Sequence, residues 1–212
     1  MGTSQRMDVE SAPQAALRIC PQDATTMTAI LYSFRRCPYA MRARWALLQA
    51  GLLVHWREIE LKAKPQDMLT ASPKGTVPVL ILEGGQVIDE SLEVMRWALE
   101  QADPRGLLQA DEADTDLLAE NDGPFKHHLD RFKYTDRYPG EQRETHHAAG
   151  QAILRRWSER IAAQGWLSGA SMGLTDGALW PFVRQWRMAD PEDFDADADL
   201  APLRDWLRRF LE

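Results

Sequence analysis

The sequence predicts two structural parts, an α/β unit followed by an all-helical bundle. Between positions 29 and 101, short apolar runs alternate with segments whose apolar residues recur every three or four positions, which is typical of strands alternating with helices. After Asp103-Pro104-Arg105-Gly106 no β-rich run follows, and the remaining segments have helical periodicity. An apolar content of 44% in 212 residues allows a sizeable core.

The α/β unit is predicted in the order β-α-β-α-β-β-α. Its strands are expected at residues 29–34, 53–61, 77–82 and 86–88, and its helices at 40–49, 66–71 and from 90 onward. Gly51 ends the first helix, and Gly84-Gly85 makes a two-residue hairpin between the last two strands. The predicted order gives a parallel pair of strands first and an antiparallel hairpin last.

The second part is predicted to be a bundle of four or five helices, at residues 112–133, 141–164, 175–188 and 200–211. The acidic segment 190–199 is expected to be a solvated loop. We therefore expect a tail over residues 1–26, an α/β domain over 27–103 and a helical domain over 107–212.

Composition restricts the partners and the compartment. The net charge of −7 argues against nucleic acid as a general partner, because phosphate binding requires a basic surface. No apolar run approaches the roughly 20 residues of a membrane span, and the N-terminus lacks the pattern of a secretion signal. Two cysteines, Cys20 and Cys37, make a poor disulfide framework. These features indicate a cytoplasmic protein with reduced thiols and no membrane partner.

Cys37 lies between the first predicted strand and the first predicted helix. Free backbone N–H groups and the helix dipole favour an anion at that point, so the thiolate form of Cys37 is favoured. Pro38 suits the first helical position, where its missing N–H is no loss. The motif Cys37-Pro38-Tyr39-Ala40 has no second cysteine, and redox chemistry at Cys37 would therefore need an external thiol. An inert buried cysteine is the alternative.

Pro78 is unusual because it begins an apolar strand, where proline removes a ladder donor. One explanation is that Pro78 faces the cysteine in a fixed conformation. A cis peptide bond before Pro78 would fix the backbone in this way.

Four segments together resemble the glutathione S-transferase family, and its omega-like group with a cysteine in particular. They are Cys37-Pro38-Tyr39-Ala40, Leu61-Lys62-Ala63-Lys64-Pro65, Gly75-Thr76-Val77-Pro78-Val79-Leu80 and Asp89-Glu90-Ser91. The resemblance covers residue 29 to the C-terminus. It implies a thioredoxin-like N-terminal domain, an all-helical C-terminal domain, glutathione as co-substrate and a homodimer.

The resemblance also implies roles for residues in a glutathione site. Ser91 and Glu90 would receive the γ-glutamyl carboxylate and ammonium, although the pair taken alone is better explained as a helix cap. Val77 would offer its backbone to the cysteinyl portion, and Pro78 would be the family's cis-proline. Lys64 would face the glycyl carboxylate, with an ordinary exposed lysine as the alternative.

Three functions are open at this point. In the first, Cys37 attacks a glutathione mixed disulfide or another small oxidised substrate, as in a thiol transferase. In the second, the protein conjugates glutathione to a small electrophile, and Tyr32, Ser33 or Tyr39 stabilises the glutathione thiolate. In the third, the chain is a non-catalytic binding protein on the same scaffold.

The family places its second-substrate pocket between the two domains. Phe125, Tyr134, Trp180 and Arg184 are the candidates for that pocket here, with packing inside the bundle as the alternative. Arg42, on the first helix, matches a structural arginine of the family. Asp176, in Gly173-Leu174-Thr175-Asp176, matches a structural capping motif.

Two histidine pairs raise the question of a metal site. Adjacent residues on a helix point about 100° apart, so neither His127-His128 nor His146-His147 is a natural chelate. We expect surface or interface histidines and no metal.

Overall fold

The computed structural model describes residues 29–108 and 112–212. The predicted tail over residues 1–26, with Cys20, lies outside the described residues. In chain order the elements are β1 (Ile30–Ser33), α1 (Pro38–Gln49), β2 (His55–Glu58), α2 (Gln66–Ala71), β3 (Val79–Ile81), β4 (Val87–Ile88), α3 (Ser91–Gln101), α4 (Glu112–Glu120), α5 (Lys126–Lys133), α6 (Arg143–Gln164), α7 (Leu174–Ala189), α8 (Pro191–Ala196) and α9 (Ala201–Arg208). This order confirms the predicted α/β unit and the helical part after it.

The four strands form one mixed sheet in the order β2-β1-β3-β4. β1 pairs with β2 in parallel and with β3 antiparallel, and β3 continues antiparallel to β4. All four residues of β2 are exposed, and β2 lies at the edge of the sheet. The partial alternation of residues 53–61 therefore predicted a strand correctly, although the strand is shorter and carries no buried residue.

Alternating side chains of β1 point into two separate cores. Leu31 packs in the large core that also contains residues of α1, α3 and the helical part, whereas Tyr32 packs with Met68 of α2 in a smaller cluster. This two-sided burial follows from the period of two in a strand. It places α1 and α3 on the side of the sheet that faces the bundle.

The single helix predicted over residues 112–133 is instead two α-helices joined by a π-helical turn, Asn121–Phe125. Pro124 lies inside that turn. Proline has no N–H for an i→i−4 bond, and a wider turn accommodates it without ending the helix. The turn brings Asp122 to the domain boundary, as described below.

The prediction of a loop over residues 190–199 is wrong, because this segment forms α8 and a 3₁₀ turn, Ala198–Leu200. The Asp190 carboxylate accepts a hydrogen bond from the backbone N–H of Asp193 at 3.3 Å, and Pro191 occupies the first helical turn. Phe194 is fully buried. The acidic composition favoured a loop, whereas the segment forms a short helix that Asp190 caps at its start and Phe194 anchors in the core.

The core of the bundle is built around large aromatic residues. Trp157 of α6, Trp186 of α7 and Trp206 of α9 are almost completely buried. This agrees with the packing role that tryptophan has in most helical cores. In the described ranges, no helix is long and apolar enough to cross a bilayer.

Candidate functional site

Cys37 immediately precedes α1 and has an extended backbone, with φ −78° and ψ 123°. Pro38 occupies the first helical turn, as the sequence predicted. The Cys37 side chain is half-buried, and its Sγ lies 3.7 Å from the carbonyl oxygen of Val77, which comes 40 residues later in the chain. The α1 N-terminus therefore holds the thiol directly beside the turn that precedes β3.

The peptide bond between Val77 and Pro78 is cis, as the resemblance implied. Both residues line an open cavity of about 430 Å³ at the boundary between the α/β part and the bundle. The lining residues are Tyr39, Lys74, Thr76, Val77, Pro78, Asp89, Glu90, Ser91 and Asp122. Four of the five predicted glutathione-binding residues thus meet around a single cavity, beside Cys37.

The N-terminus of α3 opens into this cavity. Glu90 is the residue before the helix, Ser91 is its first residue, and no side chain caps the first turn. The alternative interpretation of this pair as a helix cap is therefore not what the structure shows. The free N–H groups at an uncapped helix start can donate hydrogen bonds to an anion, and the positive end of the helix dipole also attracts it.

Three charged side chains form a network at the rim of the cavity. The Lys74 Nζ lies 2.5 Å from Glu90 Oε1 and 3.0 Å from Asp89 Oδ1. The buried Ser72 hydroxyl donates to Asp89 Oδ2 at 2.6 Å. This hydrogen bond and the nearby Lys74 ammonium hold the pKa of Asp89 below its ordinary value. Ser72 therefore ties the end of α2 to the segment before α3.

Arg42 connects this site to the bundle. The side chain is fully buried, and its guanidinium binds both carboxylate oxygens of Asp122, at 2.6 and 2.9 Å. It also donates to the carbonyl oxygen of Ala178 at 2.8 Å and reaches the Ser91 hydroxyl at 3.4 Å. The predicted structural role of Arg42 agrees with these contacts. Through Arg42, a carboxylate of the helical part is positioned at the cavity.

Tyr39 is the one of the three candidate hydroxyl residues that lines the cavity. Burial, reinforced by the negative charge of Asp122, raises the pKa of Tyr39 to about 12. The phenol is therefore protonated at neutral pH and can donate a hydrogen bond. Tyr32 and Ser33 are instead buried in the sheet and accept hydrogen bonds from Arg57 and Arg44, respectively.

Lys64 does not line the cavity. It is exposed, and its Nζ would lie 3.4 Å from a Cβ atom added at Gly75. Among the described residues it has no ion-pair partner. Its place beside the turn that leads to Val77 is compatible with the role that the resemblance implies, and that role stays a prediction.

The four residues predicted for a second-substrate pocket are not brought together. Phe125 is fully buried between Trp157 and Trp186, which agrees with the alternative of packing inside the bundle. Trp180 stacks on Phe210 with ring planes 8° apart, in the apolar packing near the C-terminus.

Tyr134 and Arg184 are half-buried, and neither lines the described cavity. Tyr134 instead ends α5, where the cationic groups of Lys133 and Arg137 lie over its ring. Helical periodicity could not separate these alternatives, because a core face and a pocket face have the same spacing.

Sequence reasoning did not assign several residues that line the cavity. Lys74, Thr76 and Asp89 lie in or beside the segments that suggested the glutathione site, so their positions were a usable signal. Asp122 had no such signal, because only the fold brings it to Arg42, 80 positions away in the chain.

Comparisons with known proteins agree with this geometry. The sequence profile described as "Glutathione S-transferase, N-terminal domain" matches residues 31–106, and the one described as "Glutathione S-transferase, C-terminal domain" matches residues 128–209. Pyrimidodiazepine synthase of Drosophila melanogaster is 30% identical over 190 residues, which cover 84% of this chain and 75% of that protein. Glutathione S-transferase omega-1 of Rattus norvegicus is 24% identical over 170 residues, covering 73% and 66% of the two chains.

A solved structure supports the fold. Glutathione transferase Omega 3C from Trametes versicolor has a TM-score of 0.71 at 20% identity, over 85% of this chain and 79% of that one. The matched domains, the relatives and the fold agree with the resemblance found in the sequence. The chain belongs to the glutathione S-transferase family, and omega-class members are among its relatives.

Proposed function

We propose that this protein is a glutathione-dependent thiol transferase with Cys37 as the nucleophile. The observation that carries the proposal is the position of Cys37 Sγ, 3.7 Å from the Val77 carbonyl oxygen, beside the cavity that Val77, Pro78, Glu90 and Ser91 line. A tripeptide thiol bound along Val77 would bring its own sulfur next to Cys37. No other cysteine lies in the described ranges, so glutathione would supply the second thiol.

The charges of the site suit the two ends of glutathione. The uncapped start of α3 can receive the γ-glutamyl carboxylate. Glu90 can receive the adjacent ammonium, because only its Oε1 is engaged by Lys74 and its Oε2 has no hydrogen-bond partner among the described residues. Lys74 is already shared by two carboxylates, so Lys64 is the lysine we assign to the glycyl carboxylate.

The reaction proceeds by two thiol–disulfide exchanges. The Cys37 thiolate attacks the glutathionyl sulfur of a mixed disulfide, forming a bond between Cys37 and glutathione and releasing the substrate as a thiolate that takes up a proton. A second glutathione thiolate then attacks the same glutathionyl sulfur. This step releases glutathione disulfide, regenerates the Cys37 thiolate, and supplies the two electrons that reduced the substrate.

Intact mass spectrometry after treatment with glutathione disulfide tests the nucleophile. We expect one added glutathione on the wild type and on Cys20→Ser, and none on Cys37→Ser. Turnover of a glutathione mixed disulfide should disappear in the same variant. Absence of an adduct at Cys37 in the folded wild type would reject the mechanism.

A second candidate function, conjugation of glutathione to a small electrophile, is favoured by Tyr39. This phenol lines the cavity and stays protonated, because its pKa is raised to about 12. It can therefore donate a hydrogen bond to a glutathione thiolate. If conjugation is the activity, Cys37→Ala should retain turnover of an aromatic halide and Tyr39→Phe should lose it. The opposite pattern supports the thiol transferase.

Retention on immobilised glutathione separates both enzymes from a binding protein on the same scaffold. Either enzyme should be retained and should elute with free glutathione, whereas a protein that flows through would favour the non-catalytic alternative.

We further propose a homodimer in the cytoplasm, where reduced glutathione keeps thiols reduced. Sedimentation should then give twice the chain mass of 24.1 kDa.

A further inference from the structure

Three histidines from two helices converge on the outer side of the bundle. His127 and His128 of α5 and His146 of α6 each present a ring nitrogen, and these three atoms lie within 4.8 Å of one another. The Nδ1 atoms of His128 and His146 are only 3.0 Å apart. The prediction of no metal considered each adjacent pair separately, whereas packing of α5 against α6 combines one pair with a member of the other.

A carboxylate fixes the orientation of His146. The Nε2 of His146 lies 2.7 Å from Glu141 Oε2, and the side chain is only 10% exposed. Since a carboxylate accepts hydrogen bonds, the proton of neutral His146 resides on Nε2, and the lone pair of Nδ1 faces His128. Proteins orient metal-binding histidines in this way, with a carboxylate on the ring nitrogen that does not bind the metal.

The charges around the cluster are compatible with a cation. Arg131 is a cationic group beside the cluster, and its Nη1 donates to the backbone carbonyl oxygen of His127 at 3.3 Å. Its Nε pairs at 2.7 Å with the same Glu141 oxygen that faces His146, so this carboxylate offsets its charge.

A hydrogen bond between the two Nδ1 atoms would account for the contact of His128 with His146. It would not explain why the exposed His127 ring also turns toward this pair, with its centroid 5.1 Å from that of His128 and 5.6 Å from that of His146. Three imidazoles around one point, with a carboxylate behind one of them, match a three-histidine metal site.

We propose that His127, His128 and His146 bind one divalent transition-metal ion of the Zn²⁺ type, with Glu141 as a positioning residue. Imidazole ligands favour Zn²⁺, Cu²⁺ or Ni²⁺ over Mg²⁺ and Ca²⁺, which prefer oxygen. A water molecule would complete four-coordination. The ion would bridge α5 and α6 and is independent of the proposed thiol chemistry at Cys37.

Calorimetric titration of the full chain with zinc chloride tests this site. The protein carries Cys20→Ser and Cys37→Ser, so that thiols cannot bind the metal, and is first treated with a chelator and desalted. We expect one zinc per chain, and no heat with magnesium chloride. His128→Ala and His146→Ala should each weaken binding by at least about ten-fold, and Glu141→Gln by about 10- to 100-fold.

Two other histidines provide matched controls, because neither belongs to the cluster. His55 lies exposed on β2, and His147 is adjacent to His146 but pairs with Asp193 at 2.9 Å. His55→Ala and His147→Gln should bind zinc as the parent does. Zinc should also raise the melting temperature of the parent and of His55→Ala but not of His128→Ala. The melting transition of His128→Ala itself shows that this variant is folded although it binds zinc weakly.

The proposal is overturned if the parent binds no zinc, or if the His128 and His146 variants bind it as tightly as the controls. Unchanged affinity in Glu141→Gln would overturn the role of Glu141. Failure of glutathione binding would not affect either result, because the cavity and the cluster have no residue in common.

Discussion

Two lysines beside Gly75 differ in the charges around them. Lys74 is held by Asp89 and Glu90, whereas Lys64 has no ion pair among the described residues. An ammonium that two carboxylates already neutralise attracts a further carboxylate weakly. This difference supports the assignment of Lys64, rather than Lys74, to the glycyl end of glutathione.

We expect Lys64→Ala to weaken glutathione binding by about two- to five-fold, which is the contribution of one exposed ion pair. Lys62→Ala removes an exposed charge two residues away and serves as the matched control. Affinity can be measured by calorimetry with glutathione, using Cys37→Ser to prevent disulfide formation. Equal losses in the two lysine variants would mean that only general charge matters.

Asp89 should make the stability of the protein depend on acidic pH. Its pKa is lowered by the Ser72 hydroxyl and by Lys74, so the folded state favours the ionised carboxylate. The stabilisation is fully present above the unfolded pKa, near 3.8, and is lost as the pH falls through the lower folded value.

Asp89→Asn should therefore lower the free energy of unfolding by about 1 kcal/mol at pH 7, and the difference from wild type should shrink below pH 4. Urea unfolding at several pH values measures this. Glu83→Gln, in the exposed hairpin, should show no comparable effect at any pH. A difference for Asp89→Asn that is constant with pH would contradict the ionic explanation.

At the scale of elements, the start of α7 depends on one buried carboxylate. Asp176 is fully buried and accepts hydrogen bonds from the backbone N–H groups of Leu167, Ser168 and Gly173, and from Trp206 Nε1. The predicted capping motif is therefore present in one direction only, since Gly173 has no side chain to return a bond. The same carboxylate also fixes α9 through Trp206.

Asp176→Ala should lower the free energy of unfolding by about 3 kcal/mol or more, because it leaves several buried donors unsatisfied. Asp176→Asn should lose less, since one acceptor oxygen remains. Asp205→Ala is the control, because its ion pair with Arg208 is exposed and should contribute less than about 1 kcal/mol. Equal urea midpoints for Asp176→Ala and Asp205→Ala would refute this account of the α7 start.

At the scale of the whole molecule, α1 and α7 form one contact between the two parts of the chain. Arg42 binds the Ala178 carbonyl, Gln185 donates to the Arg36 carbonyl at 2.9 Å, and the Tyr39 and Phe182 rings meet edge to face. The helix that begins at Cys37 is therefore held in place by the bundle. The position of the thiol depends on this contact as well as on the sheet.

Gly177 permits this close approach. A Cβ atom at Gly177 would lie 2.0 to 2.5 Å from atoms of the rigid Trp45 ring of α1. Gly177→Ala should therefore lower the free energy of unfolding by about 1–3 kcal/mol through overpacking, even though alanine is the better helix former.

Gly123→Ala is the matched control, because no atom of another element lies within 4 Å of its added Cβ. It should leave stability unchanged or raise it by up to about 1 kcal/mol. Denaturant unfolding of both variants measures the change in the free energy of unfolding. A Gly177→Ala protein as stable as wild type would mean that α1 and α7 can separate without cost.

The sequence alone was sufficient for the order of strands and helices in the α/β unit, for Cys37 at a helix start and for the proline that precedes β3. These features depend on periodicity, turn residues and helix-end chemistry, which are local in the chain. Segment 190–199 shows the limit of local reasoning, because its charge concealed the buried Phe194.

Only the tertiary structure decided which distant side chains meet. It joins Asp122 to Arg42, places Tyr39 rather than Tyr32 or Ser33 at the cavity, and buries Phe125 in the core of the bundle. It also combines two unremarkable histidine pairs into one cluster. The physical reason is that helix periodicity gives the face of a residue but not the partner of that face, which is set by how the helices pack.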